Sequence, residues 1–195
     1  MPVPASASAV PAGLPAALPV NGVMTPVSYG GSPSAAGAYV LHCLSQWHYI
    51  KSGVAGYLKP DGGSTTSAGV HADGDRNVDP WNLQFLPCWV EVEGQEFQRW
   101  AFWSNRSRGW LQPDWNRFSD FKVYATGPTA GDYSDAHWWV CSLDGWWTEI
   151  HWDLNGKYMG VRPNSGSRQV WATANSPGGS ELFLIEPALP NIGRC

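Results

Sequence analysis

Residues 155–187, "NGKYMGVRPNSGSRQVWATANSPGGSELFLIEP", hold the pattern that decides the fold. Three short runs, "KYMGV" at 157–161, "QVWAT" at 169–173 and "ELFLIEP" at 181–187, are separated by Pro, Asn, Ser and Gly clusters. Apolar alternation of period two dominates, with Val170 and Ala172, and Phe183 and Ile185, two apart, which is the period of a strand. The same grammar, including "KVYAT" at 122–126, covers the body from about Tyr39 to Pro190, where no amphipathic helix of three turns can be drawn. The 22 Gly and 16 Pro residues argue in the same direction, against a helical bundle.

The stretch recurs upstream. Trp47, Trp100 and Trp147 mark a first strand. The pairs Tyr57-Leu58, Trp110-Leu111 and Tyr158-Met159 mark a second, with Gly56, Gly109 and Gly156 ahead of them. Val70-His71-Ala72, Val123-Tyr124-Ala125 and Val170-Trp171-Ala172 mark a third. Trp81 with Leu83, Trp138 with Val140, and Phe183 with Ile185 are read as a fourth. Spacings are 10, 10 and 11 from first to second anchor, then 13, 13 and 12, then 11, 15 and 13. One unit of about fifty residues cannot bury its apolar side alone, so three must close around a common axis. The expectation is an all-β body of twelve short strands in three pseudo-symmetric copies, about 44–92, 97–144 and 146–190.

"GKYMGV", "QVWATA" and "ELFLIEP" in this order resemble the β-trefoil repeat of fascin-like proteins. The resemblance spans about residues 44–190 and lies in core positions. It implies a β-trefoil; the actin crosslinking of that family needs several sites or copies, for which one trefoil offers no matching motif. Ricin-type lectin trefoils carry Gln-x-Trp in the last strand of each repeat. Here Gln98-Arg99-Trp100 and Gln169-Val170-Trp171 occupy different places in the unit, so that family's sugar residues are not transferred.

The chain divides into residues 1–40, an Ala/Pro-rich N-terminal arm or linker, and residues 41–195, the trefoil. Residues 1–50 contain no Asp, Glu, Lys or Arg, and prolines at 2, 4, 11, 15, 19, 26 and 33 break any helix. A secretory signal peptide fits poorly, because a basic n-region is missing and prolines interrupt the apolar stretch. Two readings stand: a linker, or residues 1–38 as an arm that orders against neighbouring subunits of a larger assembly. The net charge of −4 disfavours a generally basic nucleic-acid binder. No uninterrupted apolar run is long enough for a membrane span.

Thirteen tryptophans are the compositional anomaly. Trp47, Trp81, Trp100, Trp110, Trp138, Trp147 and Trp171 fall on repeat anchors and are read as core or barrel-cap residues. Trp89, Trp103, Trp115, Trp139, Trp146 and Trp152 are left over. Trp115 lies in the turn-rich "QPDWNRFSD", flanked by Asp114 and Asn116. An aromatic face beside polar side chains suits a sugar, so Trp115, Asp114, Asn116 and Tyr133 are the expected ligand residues.

Signals for catalysis are absent. The five histidines form no metal-ligand spacing, and no G-x-S-x-G elbow occurs. Glu91 and Glu93 alternate on a strand without an evident cleft. Asp73, Asp75, Asn77 and Asp79 alternate as in a calcium loop, but Val78 and Gln84 stand where that loop needs Gly and Glu, so a self-capping turn is expected. No metal or cofactor is expected. Residues 99–122 carry an excess of basic side chains and residues 132–153 only acidic ones, a dipolar pattern that a solvated face explains.

Four cysteines allow three full pairings. Closure of the trefoil brings first and last strands together, so Cys43–Cys195 is the expected bridge, with Cys88 and Cys141 as buried thiols. Asn105-Arg106-Ser107 is a glycosylation sequon. The functional expectation is a non-enzymatic trefoil module that binds glycans and is tethered by its arm to a larger assembly. The alternative is a purely structural or decoration subunit of a virion, phage or other particle. Low Lys/Glu and high Trp/Gly/Ser content lean towards the outside of the cell or a virion-like particle surface, with the cytoplasm left open.

Overall fold

The computed structural model describes residues 39–61, 68–92, 95–113, 121–126, 136–153, 155–162 and 168–195. Among the described residues there are thirteen strands and no α-helix. Accordingly no helix is long and apolar enough to cross a membrane, which says nothing of crossing by strands. Six strands form a barrel: β2 (Tyr49–Ser52), β5 (Phe85–Val92), β6 (Gln95–Ser104), β9 (Trp138–Ser142), β10 (Thr148–Trp152) and β13 (Leu182–Glu186). They pair antiparallel in the order β5-β6-β9-β10-β13-β2. Closure is made by His48 and Phe85, whose backbone groups exchange hydrogen bonds of 2.8 Å in both directions. Closure removes the open edges that these six strands would otherwise carry.

Three hairpins cap one end: β3 (Tyr57–Pro60) with β4 (Val70–Gly74), β7 (Trp110–Pro113) with β8 (Val123–Thr126), and β11 (Tyr158–Val161) with β12 (Val170–Ala174). A cyclic set of hydrogen bonds joins them. Ala72 N–H donates to the Arg168 carbonyl at 2.9 Å, Ala172 to Phe121 at 2.9 Å, and Ala125 to Ala68 at 2.8 Å. Each donor is an alanine because three backbones converge here and larger side chains would hold them apart.

Side chains at the second- and third-strand anchors, and others on the first and fourth strands, fill the interior in layers. Ile50, Phe102 and Ile150 form one set; Leu58, Leu111 and Met159 another; Val70, Val123 and Val170 a third; and each of these residues is 0% exposed. Phe85, Trp138 and Phe183 complete the barrel, also at 0%. Tyr57, Trp110 and Tyr158 are rotationally related, since each pairs with the matching first strand, opposite Lys51, Trp103 and His151 respectively. The β-trefoil is thus present. Two anchor sets shift. Trp47 and Trp147 lie just ahead of β2 and β10 and are half-buried, whereas Trp100 lies inside β6, so the register makes Ile50, Phe102 and Ile150 the equivalent first-strand residues. Trp81 and Leu83 lie in a 3-10 turn, Pro80–Leu83, and the fourth strand begins at Phe85. From Val70 to Phe85 is 15 residues, the spacing of the second copy. Trp81, expected in the core, is 70% exposed, whereas the leftovers Trp103 and Trp152 are fully buried.

A further strand, β1 (Tyr39–Cys43), precedes the first copy, raising twelve to thirteen and drawing Tyr39 and Val40 into the sheet. It pairs with β5 opposite β6, so β1, β5 and β6 project beyond the barrel as a three-stranded wing. A second apolar cluster, including Leu41, Leu86, Val90, Trp103 and Trp110, packs beneath it.

The Cys43–Cys195 bridge does not form. Cys43 stands directly across from Cys88 in the β1–β5 ladder and bonds to it. The C-terminal segment runs along β9 instead, where Ser142 and Cys195 share backbone hydrogen bonds with their neighbours, and Cys195 bonds to Cys141. Cys88 and Cys141 are therefore disulfide partners rather than thiols, and no free cysteine remains. Chain closure does bring the termini of the repeats together, but the wing carries Cys43 to β5, away from the C-terminal segment.

Candidate functional site

The threefold repeat places three equivalent triplets on the outside of the barrel. Leu86, Trp103 and Trp110 lie side by side across β5, β6 and β7. Trp139, His151 and Tyr158 take the same ladder positions across β9, β10 and β11. Leu184, Lys51 and Tyr57 do so across β13, β2 and β3. Identical backbone positions thus carry three chemistries.

In the second copy the triplet is closed off. Leu86, Trp103 and Trp110 are 5%, 0% and 3% exposed, with the two indoles edge to face at 5.0 Å between centroids. In the first copy, local polar groups fill the position. The Tyr57 hydroxyl donates to Glu186 at 3.0 Å, the same oxygen accepts from Arg76 at 3.0 Å, and Arg76 covers the Tyr49 ring at 4.3 Å. Burial and the Glu186 carboxylate raise the Tyr57 phenol above its usual pKa, so it remains a donor.

The third copy leaves its triplet half-buried. The Trp139 and His151 rings are nearly parallel, 6.4 Å apart with 13° between planes, and His151 meets Tyr158 at 5.0 Å. Three rings therefore run as one ledge across three strands. Polar groups fix its first end. The Arg99 guanidinium lies 5.3 Å from the Trp139 ring centroid and its Nε is 3.0 Å from Asp153, which also accepts from the Trp139 indole N–H. Burial lowers the His151 pKa against the opposing pull of Asp153, so this ring is a neutral stacking surface at neutral pH. His137, one residue ahead of β9, is 4% exposed and pushed down to about 3 by burial and by Arg99.

Beyond Tyr158 the ledge opens into a small cleft of about 30 Å³ lined by Gly160, Arg162, Trp171, Thr173 and Glu181. Arg162 stacks 4.1 Å over Trp171. The Glu181 carboxylate is held by the Gly178 N–H at 2.9 Å and the Ser180 hydroxyl at 2.7 Å. Gly160 permits that approach, since a Cβ there would come within 2.6 Å of Glu181 Oε1. The site thus offers planar aromatic faces between two anchored carboxylates and two guanidiniums.

The residues expected from sequence, Trp115, Asp114, Asn116 and Tyr133, lie outside the described residues, as do residues 1–38. Trp139 is one of the tryptophans that the repeat anchors leave over, and sequence reasoning names Tyr158 only as a repeat anchor and does not bring it together with His151; the signal available was that positions 139, 151 and 158 are equivalent to 86, 103 and 110. The Asp/Asn run is a self-capping turn: Asp75 accepts from the Asn77 N–H at 2.9 Å, Asp79 accepts from Asn82 and forms an ion pair with Arg106 at 3.5 Å, and Asp73 faces Lys59 at 3.3 Å. The sequon amide of Asn105 is engaged with Gln84 at 3.1 Å, and Ser107 is 2% exposed. Cys141, Cys195 and Glu149 cluster with metal-ligand spacing, but both sulfurs are committed to the disulfide.

No protein-family model matches the chain, and no curated protein sequence matches it. Solved structures do. The designed threefold-symmetric protein ThreeFoil superposes with a TM-score of 0.56 at 17% identity, covering 71% of this chain and 96% of that one. A Polyporus squamosus lectin bound to a human-type influenza-binding epitope, Neu5Aca2-6Galb1-4GlcNAc, gives 0.55 at 15% identity, covering 71% of this chain and 48%, about half, of the lectin chain. A proteinase inhibitor from Coprinopsis cinerea gives 0.52 at 13% identity, covering 71% and 94%. At these identities the likeness establishes the β-trefoil fold and nothing finer.

Proposed function

We propose that the protein is a non-catalytic β-trefoil binding module that takes glycans along the ledge where its second and third repeats meet. The observation that carries this reading is the Trp139–His151–Tyr158 ring series, left half-buried while its equivalent in the second repeat is sealed. Pyranose rings present C–H faces that stack on aromatic planes, and their hydroxyls are met by charged partners already held in place. Asp153 with Arg99 at one end, and Glu181 with Arg162 at the other, supply those partners. The glycan bound by the similar Polyporus squamosus lectin supports the ligand class. Two disulfides fit an oxidising setting, and an extracellular or particle-surface location belongs to this reading.

A glycan array followed by calorimetric titration of the best binder tests it. Tyr158→Ala and Trp139→Ala are expected to weaken binding at least about ten-fold each, the scale of losing a stacking face. Trp115→Ala, in the loop that the sequence singles out, belongs in the same series. An array without binders, or a binder unaffected by both ledge substitutions, removes the reading.

A further inference from the structure

We infer that the protein's own N-terminal arm, through residues 10–20, docks in cis into an apolar groove at the end of the barrel away from the hairpin cap. The groove, about 360 Å³, lies between the β9–β10 turn and the segment that follows β13. Trp146, Thr148, Pro187, Ala188, Leu189 and Ile192 line it. Trp146 is 75% exposed and its neighbour Leu143 50%, large apolar surfaces that the described residues leave uncovered.

This aromatic is presented rather than loosely attached. Asp144 Oδ1 accepts from the Trp146 N–H at 2.9 Å and the Trp147 N–H at 2.8 Å, and Ser142 Oγ accepts from the Gly145 N–H at 2.9 Å. These bonds hold the Asp144 carboxyl below its usual pKa, so the turn keeps its shape in mild acid. Gly145 has φ +90, a left-handed conformation that tightens the turn. The one acidic lining residue, Glu186, is already engaged by Arg76 and the Tyr57 hydroxyl. The groove therefore offers apolar and aromatic contact and no uncommitted charge.

Residues 1–38 match that demand, having no charged side chain. Within them "VPAGLPAALPV" at 10–20 places prolines four apart, at 11, 15 and 19, beside Leu14 and Leu18. Proline-rich segments bind aromatic-lined grooves with a reduced ordering cost, because φ is already fixed. The geometry permits docking within one molecule. β9 reaches Ser142, β13 reaches Glu186 and β5 reaches Val92 at the same barrel end, and Tyr39 pairs with Val92 there. The arm thus leaves from the groove's own end. Eighteen residues between 20 and 38 reach up to about 56 Å at about 3.1 Å each, well beyond the roughly 15 Å radius of gyration of such a body. A tethered segment also has an effective concentration in the millimolar range, above that of any second copy in dilute solution.

Limited proteolysis of the full chain by an elastase-type enzyme, with cuts in residues 10–20 timed by mass spectrometry, tests the inference. Trp146→Ser and Ala188→Asp are expected to accelerate cutting roughly five-fold or more by raising the undocked population. Trp81→Ser, which removes an equally exposed indole elsewhere, is expected to leave it unchanged. A synthetic peptide of residues 9–22 in excess should accelerate cutting of the wild type. Near-ultraviolet circular dichroism establishes that each variant is folded; both groove positions are exposed, so folding is retained. Equal cutting in all variants with no peptide effect overturns the inference. Protection that rises with protein concentration also overturns it, by making a second copy the occupant.

Discussion

Trp103 and Trp110 on the second repeat, and His151 and Tyr158 on the third, stand at the same ladder positions of one barrel. The wing strand β1 and the lengthened β5–β6 hairpin supply a second apolar cluster over the former. Among the described residues nothing equivalent projects from the β9–β10 junction, where a short capped turn replaces the long hairpin. The difference teaches how a pseudo-symmetric fold separates stability from binding. One copy invests its outer aromatics in packing, another keeps them at the surface with polar partners already arranged.

The comparison can be broken first at Trp103. Its truncation to Ala should cost about 3–5 kcal/mol in denaturant unfolding, since the indole is fully buried. A loss near that of an exposed residue would show that the wing does not form a core. Removing the Cys43–Cys88 bridge by Cys43→Ser with Cys88→Ser should cost about 2–4 kcal/mol and loosen the wing, leaving ledge binding intact. The pH dependence of stability comes next. His137 binds its proton only near pH 3 when folded but near 6.5 when unfolded, so the unfolded chain takes up a proton in between. Stability should therefore fall as pH drops through that window, by at most about 1.4 kcal/mol per pH unit from this group. His137→Asn should flatten that slope.

The smaller effects sharpen the third repeat. Tyr158→Ala should cost only about 1 kcal/mol in stability, far less than Trp103→Ala, while weakening glycan binding at least about ten-fold. Gly160→Ala should change stability by about 1 kcal/mol or less, because the flexible Glu181 side chain can withdraw from the added methyl; the same withdrawal should weaken binding measured by titration.

The fold was legible because trefoil anchors are core positions with a fixed strand period. Leu58, Leu111 and Met159, and the three Val-x-Ala runs, are read correctly from spacing alone. The first copy misled at Trp81, where a 3-10 turn inserts four residues before Phe85; an aromatic near the expected spacing drew the anchor one turn early. The disulfides were illegible because Cys43–Cys88 depends on β1 and Cys141–Cys195 on the C-terminal segment beside β9, two pieces of chain outside the repeats that carry no periodic signal. The ledge was hidden for another reason. Trp139 and His151 differ in type from their equivalents, and only the ladder register shows that Trp139, His151 and Tyr158 are neighbours while Leu86, Trp103 and Trp110 are covered.

The most direct test follows indole N–H signals in two-dimensional NMR while the best array glycan is titrated into the full chain. The Trp139 resonance, at the head of the ledge, should shift in proportion to occupancy while that of Trp103 stays fixed. A bound glycan that leaves Trp139 unmoved, or that perturbs Trp103 instead, would contradict the assignment of binding to the Trp139–His151–Tyr158 ledge.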